Sequence, residues 1–494
     1  MKKAYKILAA TVFSLVLLPS ALSAQEFQTG YFLGGYNYAY RMNPSIQNER
    51  NFFATGIGDV GLNLNSNIGI SSLLYPSENG GPLKTIFHPD ITKEQMLSGL
   101  SPTGINNIGV EADVNLLALG WWAKKSYYTF EVGVRSNNRV NLPNELFSFL
   151  KEASPGTYDL SSTGFSSRSY AQASLGMSRN ISKKLTVGLR LKALVGLESL
   201  NLGFEKLDLT VGSDRWNISS TGELSGSIGV ASFETDEQGV VKGLTVDFNN
   251  TSIDSFAGFG GAVDLGVTFH VLDWITLSAA VTDLGFVKWQ NNLYAKTGSV
   301  DYTYSGVTFD LSDDSGDAFD KEIEKATEAL QNIYKVYDHS TQAEAEFERM
   351  PFMVNVGAEV RLPVYKRLSA GVLYSLRNGA GFDWNEGRVS VNWSPLNFIS
   401  LSGSTGMSNF GQSWGGAFSF HPGLLSLYFG FDALSNDVVP IPYLPEKIGM
   451  DPSKFSIIPK GELDFNLYFG LQLSIGRKRL DYARKMKETI VVVE

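Results

Sequence analysis

The chain has 494 residues, no cysteine and a formal charge of -9. Without cysteine there are no disulfides, thiolate metal sites or lipid-modified cysteine anchor, and the acidic balance argues against nucleic acid as a partner. Its 50 glycines, 31 phenylalanines and 21 tyrosines suit an all-β chain with close backbone approaches, and a mean hydropathy of -0.05 does not exclude a membrane barrel, in which half of each strand is polar.

The first stretch, MKKAYKILAATVFSLVLLPSALSAQEF, carries Lys2, Lys3 and Lys6, an apolar run from Ile7 to Leu18, and small residues before Gln25. It reads as a signal peptide over 1–24, cut after Ser23 or Ala24. The run is shorter than the roughly 20 apolar residues a spanning helix needs. Loss of the three lysines takes the charge from -9 to -12. No later apolar run reaches spanning length, so any membrane crossing must use strands.

Residues 25–57 form an N-terminal segment before the first predicted strand. Strands are expected near 58–72, 107–121, 127–136, 168–178, 186–198, 256–269, 274–284, 350–362, 368–376, 385–393, 398–406, 413–420, 424–432 and 462–475. The signal is alternation, because successive side chains of a strand face opposite sides. In LDFNLYFGLQLSIG, Leu463, Phe465, Leu467, Phe469, Leu471, Leu473 and Ile475 alternate with Asp464, Asn466, Tyr468, Gly470, Gln472 and Ser474. Val187, Leu189, Leu191 and Ala193 likewise oppose Gly188, Arg190 and Lys192.

Short connections (AKKS, RNISKK, HVLD, PVYKR, SPLN, HPG) alternate with long ones. That asymmetry marks an antiparallel transmembrane β-barrel of about 14 strands with tight periplasmic turns and long extracellular loops. The count assigns the extended stretches near 202–211, 223–247 and 299–310 to hairpins within long loops. The apolar faces then meet lipid and the polar faces line the lumen. Trp121, Trp122, Tyr127 and Tyr128 flank AKKS and Trp274 follows HVLD, where aromatic rings would sit at headgroup level.

The barrel is expected to span 58–476, with an extracellular insert at 285–349 and a periplasmic tail at 477–494. Within the insert, Asp310, Asp313, Asp314, Asp317 and Asp320 cluster without EF-hand spacing and read as a solvated acidic loop. Phe319, Ile323, Ala326, Leu330, Ile333, Tyr334 and Tyr337 recur at helical spacing, a short amphipathic helix over the barrel mouth or a partner-binding one.

The predicted lumen face carries Glu111, Asp113, Glu131, Arg135, Arg190, Lys192, Asp264, Glu359, Arg361, Arg388 and Asp464. Mixed signs fit a salt-bridged plug or an aqueous passage; buried charges need partners whether or not solute passes, which favours a purely structural role, so the mixture is not evidence of ion selectivity. Four scattered histidines, no nucleophile elbow and no phosphate loop leave no catalytic, cofactor or metal set to name, so the expectation is a non-enzyme without cofactors.

The segments TGYFLGGYNYAYRMNPSIQNERNFFA (29–54), GGAVDLGVTFHVLDWITLSAAVTDLGFVKW (260–289) and VNWSPLNFISLSGSTGMSNFGQSWGGAFSFHPGLLSLYFGFDAL (391–434) resemble a Bacteroidetes-type family of outer-membrane β-barrels of unassigned function. More remotely the chain is similar to long-chain fatty-acid transporters and to barrels associated with type IX secretion. The fatty-acid transporter kinship implies fourteen strands and an N-terminal segment folded into the lumen as a hatch. Met42-Asn43-Pro44-Ser45 looks like the Asn-Pro-Ala of that hatch, which makes Asn43 and Pro44 the candidate hatch residues; an ordinary loop before the first strand is the alternative.

The expectation is therefore an outer-membrane barrel of a Gram-negative bacterium, in contact with lipid, passing a small solute, with a hydrophobic one among the candidates, as a passive channel or transporter. The alternative is a non-transporting scaffold or secretion and assembly partner that docks another protein through its extracellular loops or periplasmic tail.

Overall fold

The computed structural model describes residues 27–476 except 69–72, 76–83, 214, 248–255, 291, 298–299, 305–335, 379–382, 410, 435–436, 441–455 and 461–462. The predicted signal peptide, the acidic run 310–320, most of the 319–337 helix and the tail 477–494 lie outside the described residues. Tyr337, the last residue of that expected helix, is in a short strand, Val336–Asp338, paired with Leu293–Thr297.

Fourteen antiparallel strands close into a barrel. They are β1 (Asn51–Ser66), β2 (Ile105–Ala123), β3 (Ser126–Pro143), β4 (Gly164–Asn180), β5 (Leu185–Val211), β6 (Gly258–Leu272) and β7 (Ile275–Trp289), then β8 (Phe352–Arg361), β9 (Leu368–Asn378), β10 (Trp384–Leu396), β11 (Ile399–Ser408), β12 (Gly411–Phe420), β13 (Leu425–Leu434) and β14 (Leu463–Ile475). Each pairs with its neighbours in sequence, and closure is made by β1 on β14, from Asn51 opposite Ile475 to Ser66 opposite Leu463. Closure matters because an open edge would leave backbone groups unpaired in hydrocarbon.

The outer face is apolar. Leu189 and Leu191 on β5, Val372 and Tyr374 on β9, Val389 and Val391 on β10, and Leu471 and Leu473 on β14 are exposed while their neighbours in sequence are buried, and Leu265 and Phe269 on β6 are exposed between less exposed neighbours. A continuous apolar surface of this extent belongs in a bilayer. Among the described residues no helix is long and apolar enough to cross a membrane.

Two boundaries differ from the sequence reading. β1 begins at Asn51 rather than near 58, so the N-terminal segment ends at residue 50 and not 57. Gly56, at φ +73°, and Gly58 lie in a bulge that breaks the alternation: three residues of β1, 56–58, oppose the single Leu116 of β2 between the Thr55–Leu117 and Asp59–Asn115 pairs. The stretch 202–211 is the upper part of β5 itself, which runs 27 residues and projects beyond the membrane. There it pairs with Trp216–Ser227, which in turn pairs with Val300–Tyr304, while Ala231–Thr235 and Val241–Val246 form a separate hairpin. None of these adds a barrel strand.

The long-loop end is also capped by two short helices. Lys93–Gly99 starts from a capping box between Thr92 and Gln95, which satisfies two otherwise unpaired donors. It contributes Met96 to a small core shared with Phe147 of the helix Asn144–Lys151.

Candidate functional site in the barrel lumen

Residues 27–50 lie inside the barrel. They form turns and two single-turn 3-10 helices, Gln28–Gly30 and Ala39–Arg41. Every backbone–backbone hydrogen bond described for the segment is internal, such as Arg41 N to Tyr38 O and Ile46 N to Asn43 O. The segment therefore joins the barrel through side chains and one covalent connection at Arg50–Asn51, and adds no strand to the wall.

The side chains of the segment form an aromatic core in the lumen. Phe27, Tyr36, Tyr38, Tyr40 and Met42 are buried together with the wall residues Phe52, Tyr127, Leu373, Tyr428 and Tyr468. Phe27 stacks on Tyr468 at 4.7 Å between ring centroids, and Tyr36 meets Tyr428 edge-on at 4.8 Å. The wall makes room by omitting side chains. A β-carbon at Gly188 or Gly266 would strike Pro44, one at Gly371 would strike Phe32, and one at Gly430 would strike Phe27. The glycine-rich inner face is thus a cradle for this segment.

Asn43 and Pro44, the candidate hatch residues, sit against β5 and β6. The Asn43 side-chain oxygen accepts from the Ser45 amide (3.0 Å) and hydroxyl (2.6 Å), and its amide donates to the Tyr31 hydroxyl (3.0 Å). The Ser45 hydroxyl lies 2.7 Å from that of Thr268 on β6. An Asx-type turn of this kind fixes the chain direction before it reaches β1.

Charge dominates the middle of the lumen. Arg41, from the segment, binds Asp59 of β1 and Glu131 of β3, and lies 3.3 Å from Asp113 of β2. Around it the wall completes a network. Arg190 binds Glu131 at 2.6 Å, Lys192 binds Asp264 at 2.8 Å, and Arg135 joins Asp113 (2.7 Å) to Asp283 (3.0 Å). The Tyr40 hydroxyl donates to Glu131 (3.0 Å), and that of Tyr428 to Asp59. A second cluster, on the other half of the wall, holds Arg388 against Asp432 (2.7 Å) and Glu386 (2.8 Å), with the Thr29 amide and hydroxyl of the segment donating to Asp432. Buried ions persist only when paired, and here the segment supplies one of the pairing groups.

Of the predicted lumen residues, Asp113, Glu131, Arg135, Arg190, Lys192 and Asp264 meet in the central network and Arg388 sits in the second cluster. Glu111 lies nearer the long-loop end, paired with Arg377 at 3.0 Å. Glu359 and Arg361 pair with each other at 3.2 Å at the short-turn end, away from the network. Asp464 pairs by backbone with Asn65 and Leu434, and its side chain lies outside the described residues. Sequence reasoning missed Arg41, Asp59 and Asp283. It also placed all four aromatics around AKKS at headgroup level, whereas only Trp121 and Tyr128 face outward, stacked at 5.7 Å. Tyr127 is buried inside and Trp122 donates from its indole nitrogen to the Asn48 carbonyl of the segment (2.8 Å). Adjacent strand residues point to opposite faces, so the quartet had to split. A usable signal for the buried segment was the set of large apolar residues on the inner register, Phe52, Leu373, Tyr428 and Tyr468, which a watery lumen would not carry.

Below the segment, at the short-turn end, is a cavity of about 540 Å³. Its lining is largely polar, including Asn180, Thr186, His270, Arg361, Ser369 and Asn392.

Residues 44–432, more than half of the chain, match a family of unknown function designated DUF5723, and the chain belongs to that family. No curated protein is similar in sequence. Among solved structures the chain is remotely similar to the toluene transporter TodX of Pseudomonas putida, at 9% identity and a TM-score of 0.42 over 89% of this chain and 94% of that one. It is similar at the same distance to a Pseudomonas aeruginosa FadL homologue (9% identity, TM-score 0.41, 92% of this chain and 98% of that one). The CymD monoaromatic hydrocarbon channel gives 9% identity and a TM-score of 0.40 over 90% and 95%. Likenesses this distant say nothing about the solute this chain would carry.

Proposed function

We propose that this DUF5723 protein is an outer-membrane channel of a Gram-negative bacterium, held shut by its own N-terminal segment, which acts as a hatch for a small solute. The observation that carries this reading is that residues 27–50 fill the lumen without joining its sheet. A body held by side chains and one covalent connection can leave without breaking a single ladder hydrogen bond, whereas a barrel strand cannot. The cavity beneath it is lined mostly by polar side chains, which favours a polar solute over a hydrophobic one.

The tight fill of the lumen favours a second reading, a permanently closed barrel that serves as a scaffold or assembly partner. Solute flux into liposomes separates the two. Protein lacking residues 25–50 should pass small polar solutes that the full chain retains. A correctly folded deletion variant that passes nothing would remove the channel reading and direct attention to partners bound at the loops.

A further inference from the structure

Two amides in the lumen are unaccounted for by the closed state. Asn115 on β2 and Gln172 on β4 are 0% and 1% exposed, and neither the oxygen nor the nitrogen of either amide has a hydrogen-bond partner among the described residues. They lie at one level of the wall, because the register runs Asp59, Asn115, Gly133, Gln172 across β1 to β4. Buried amides without partners are rare and call for an explanation.

The row borders the seat of Arg41. That guanidinium belongs to the hatch and lies 4.9 Å from the Tyr38 ring, while the carboxylates around it, Asp59, Asp113 and Glu131, belong to the wall. Within the connected network the wall contributes five carboxylates, the three named plus Asp264 and Asp283, against three cations, Arg135, Arg190 and Lys192. Arg41 is the fourth cation. When the hatch withdraws, the wall keeps five negative charges against three positive, at a level where low-dielectric walls focus the field. The exposed Lys183, Lys366 and Arg367 at the short-turn mouth oppose this less strongly, since solvent and salt screen them.

We propose that Asp59, Asp113 and Glu131, flanked by Asn115 and Gln172, form a recognition site for a guanidinium- or ammonium-bearing solute. In the closed barrel Arg41 occupies that site, and in the open pore it selects cations. The inference rests on the hatch reading above and names its substrate class. A guanidinium donates in a planar fork that suits carboxylates, and the two amide oxygens are further acceptors beside it.

The test uses the full-length protein and Arg41→Ala, which empties the site. In planar bilayers under a potassium chloride gradient, Arg41→Ala should conduct with a reversal potential displaced toward potassium. Adding Asp113→Asn and Glu131→Gln should reduce the potassium preference by about threefold or more. In detergent, millimolar methylguanidinium should raise the thermal midpoint of Arg41→Ala but not that of the wild type, whose site is filled, nor that of Arg41→Ala combined with Glu131→Gln. Current that reverses toward chloride, or conduction indifferent to charge, overturns this inference and leaves the channel reading standing. Methylguanidinium stabilisation without current from any folded variant supports the site and overturns the channel. Equal effects of methylguanidinium on all three proteins overturn the site.

Discussion

The two halves of the barrel wall are built differently. Strands β1 to β7 run 15 to 27 residues, β8 to β14 only 10 to 13. In the second half the ladders from β8 to β14 keep strict register, apart from one shift at the Trp393/Leu396 turn. The first half is broken repeatedly: between Thr55 and Asp59, between Asn115 and Leu117, and between Val263 and Leu265, with Asp283 in the left-handed region at φ 60°. The breaks coincide with the central site, since Asp59, Asn115, Asp264 and Asp283 all stand at one. A bulge re-aims a side chain out of the regular pleat. The regular half holds the shape and one smaller charged cluster around Arg388, and the irregular half presents the central network.

The largest expected effect follows from that division. Arg41→Ala leaves Asp59, Asp113 and Glu131 without their shared cation and should destabilise the closed state by about 3–5 kcal/mol. Limited proteolysis should then cleave within residues 27–50 of the folded barrel, which the wild type resists. Next in size are lipid-facing charges, where the halves should behave alike. Leu191→Arg in the first half and Val391→Arg in the second should each cost about 2–4 kcal/mol in a refolding titration, because both side chains leave the wall toward lipid. A large difference between them would mean that one half does not face the bilayer.

The glycines sharpen the comparison further. Gly266→Val meets Asn43 and Pro44 and should cost about 1–3 kcal/mol, whereas Gly403→Val, with open space around it, should stay within about 0.5 kcal/mol. Thermal midpoints would show both. The smallest effect is Tyr428→Phe, which removes one hydroxyl donor from Asp59 while Arg41 remains, for about 1 kcal/mol.

The regular half was legible in the sequence because period-two alternation is all that it uses. Strands over 368–376 and 413–420 fell within a few residues of β9 and β12. The central charges were legible one strand at a time, as with Arg190 and Lys192 on the inner face of β5, but their pairing was not, since partners such as Lys192 and Asp283 lie 91 residues apart. Asp59 and Asp283 escaped because the bulges that aim them also break the alternation used to assign a face. Arg41 escaped because it lies on no strand. Leu373 and Tyr468 held usable information, since large apolar residues on an inner register imply something packed against them.

The hatch claim is tested most directly by tying the segment to the wall. The chain has no cysteine, so Ser45→Cys with Thr268→Cys, whose hydroxyls lie 2.7 Å apart, introduces a single pair placed for a disulfide. Arg41→Ala is added to loosen the segment. Flux into liposomes should be absent when the pair is oxidised and should appear on reduction. Equal flux in both states would show that solute does not pass where residues 27–50 sit, and would contradict the account.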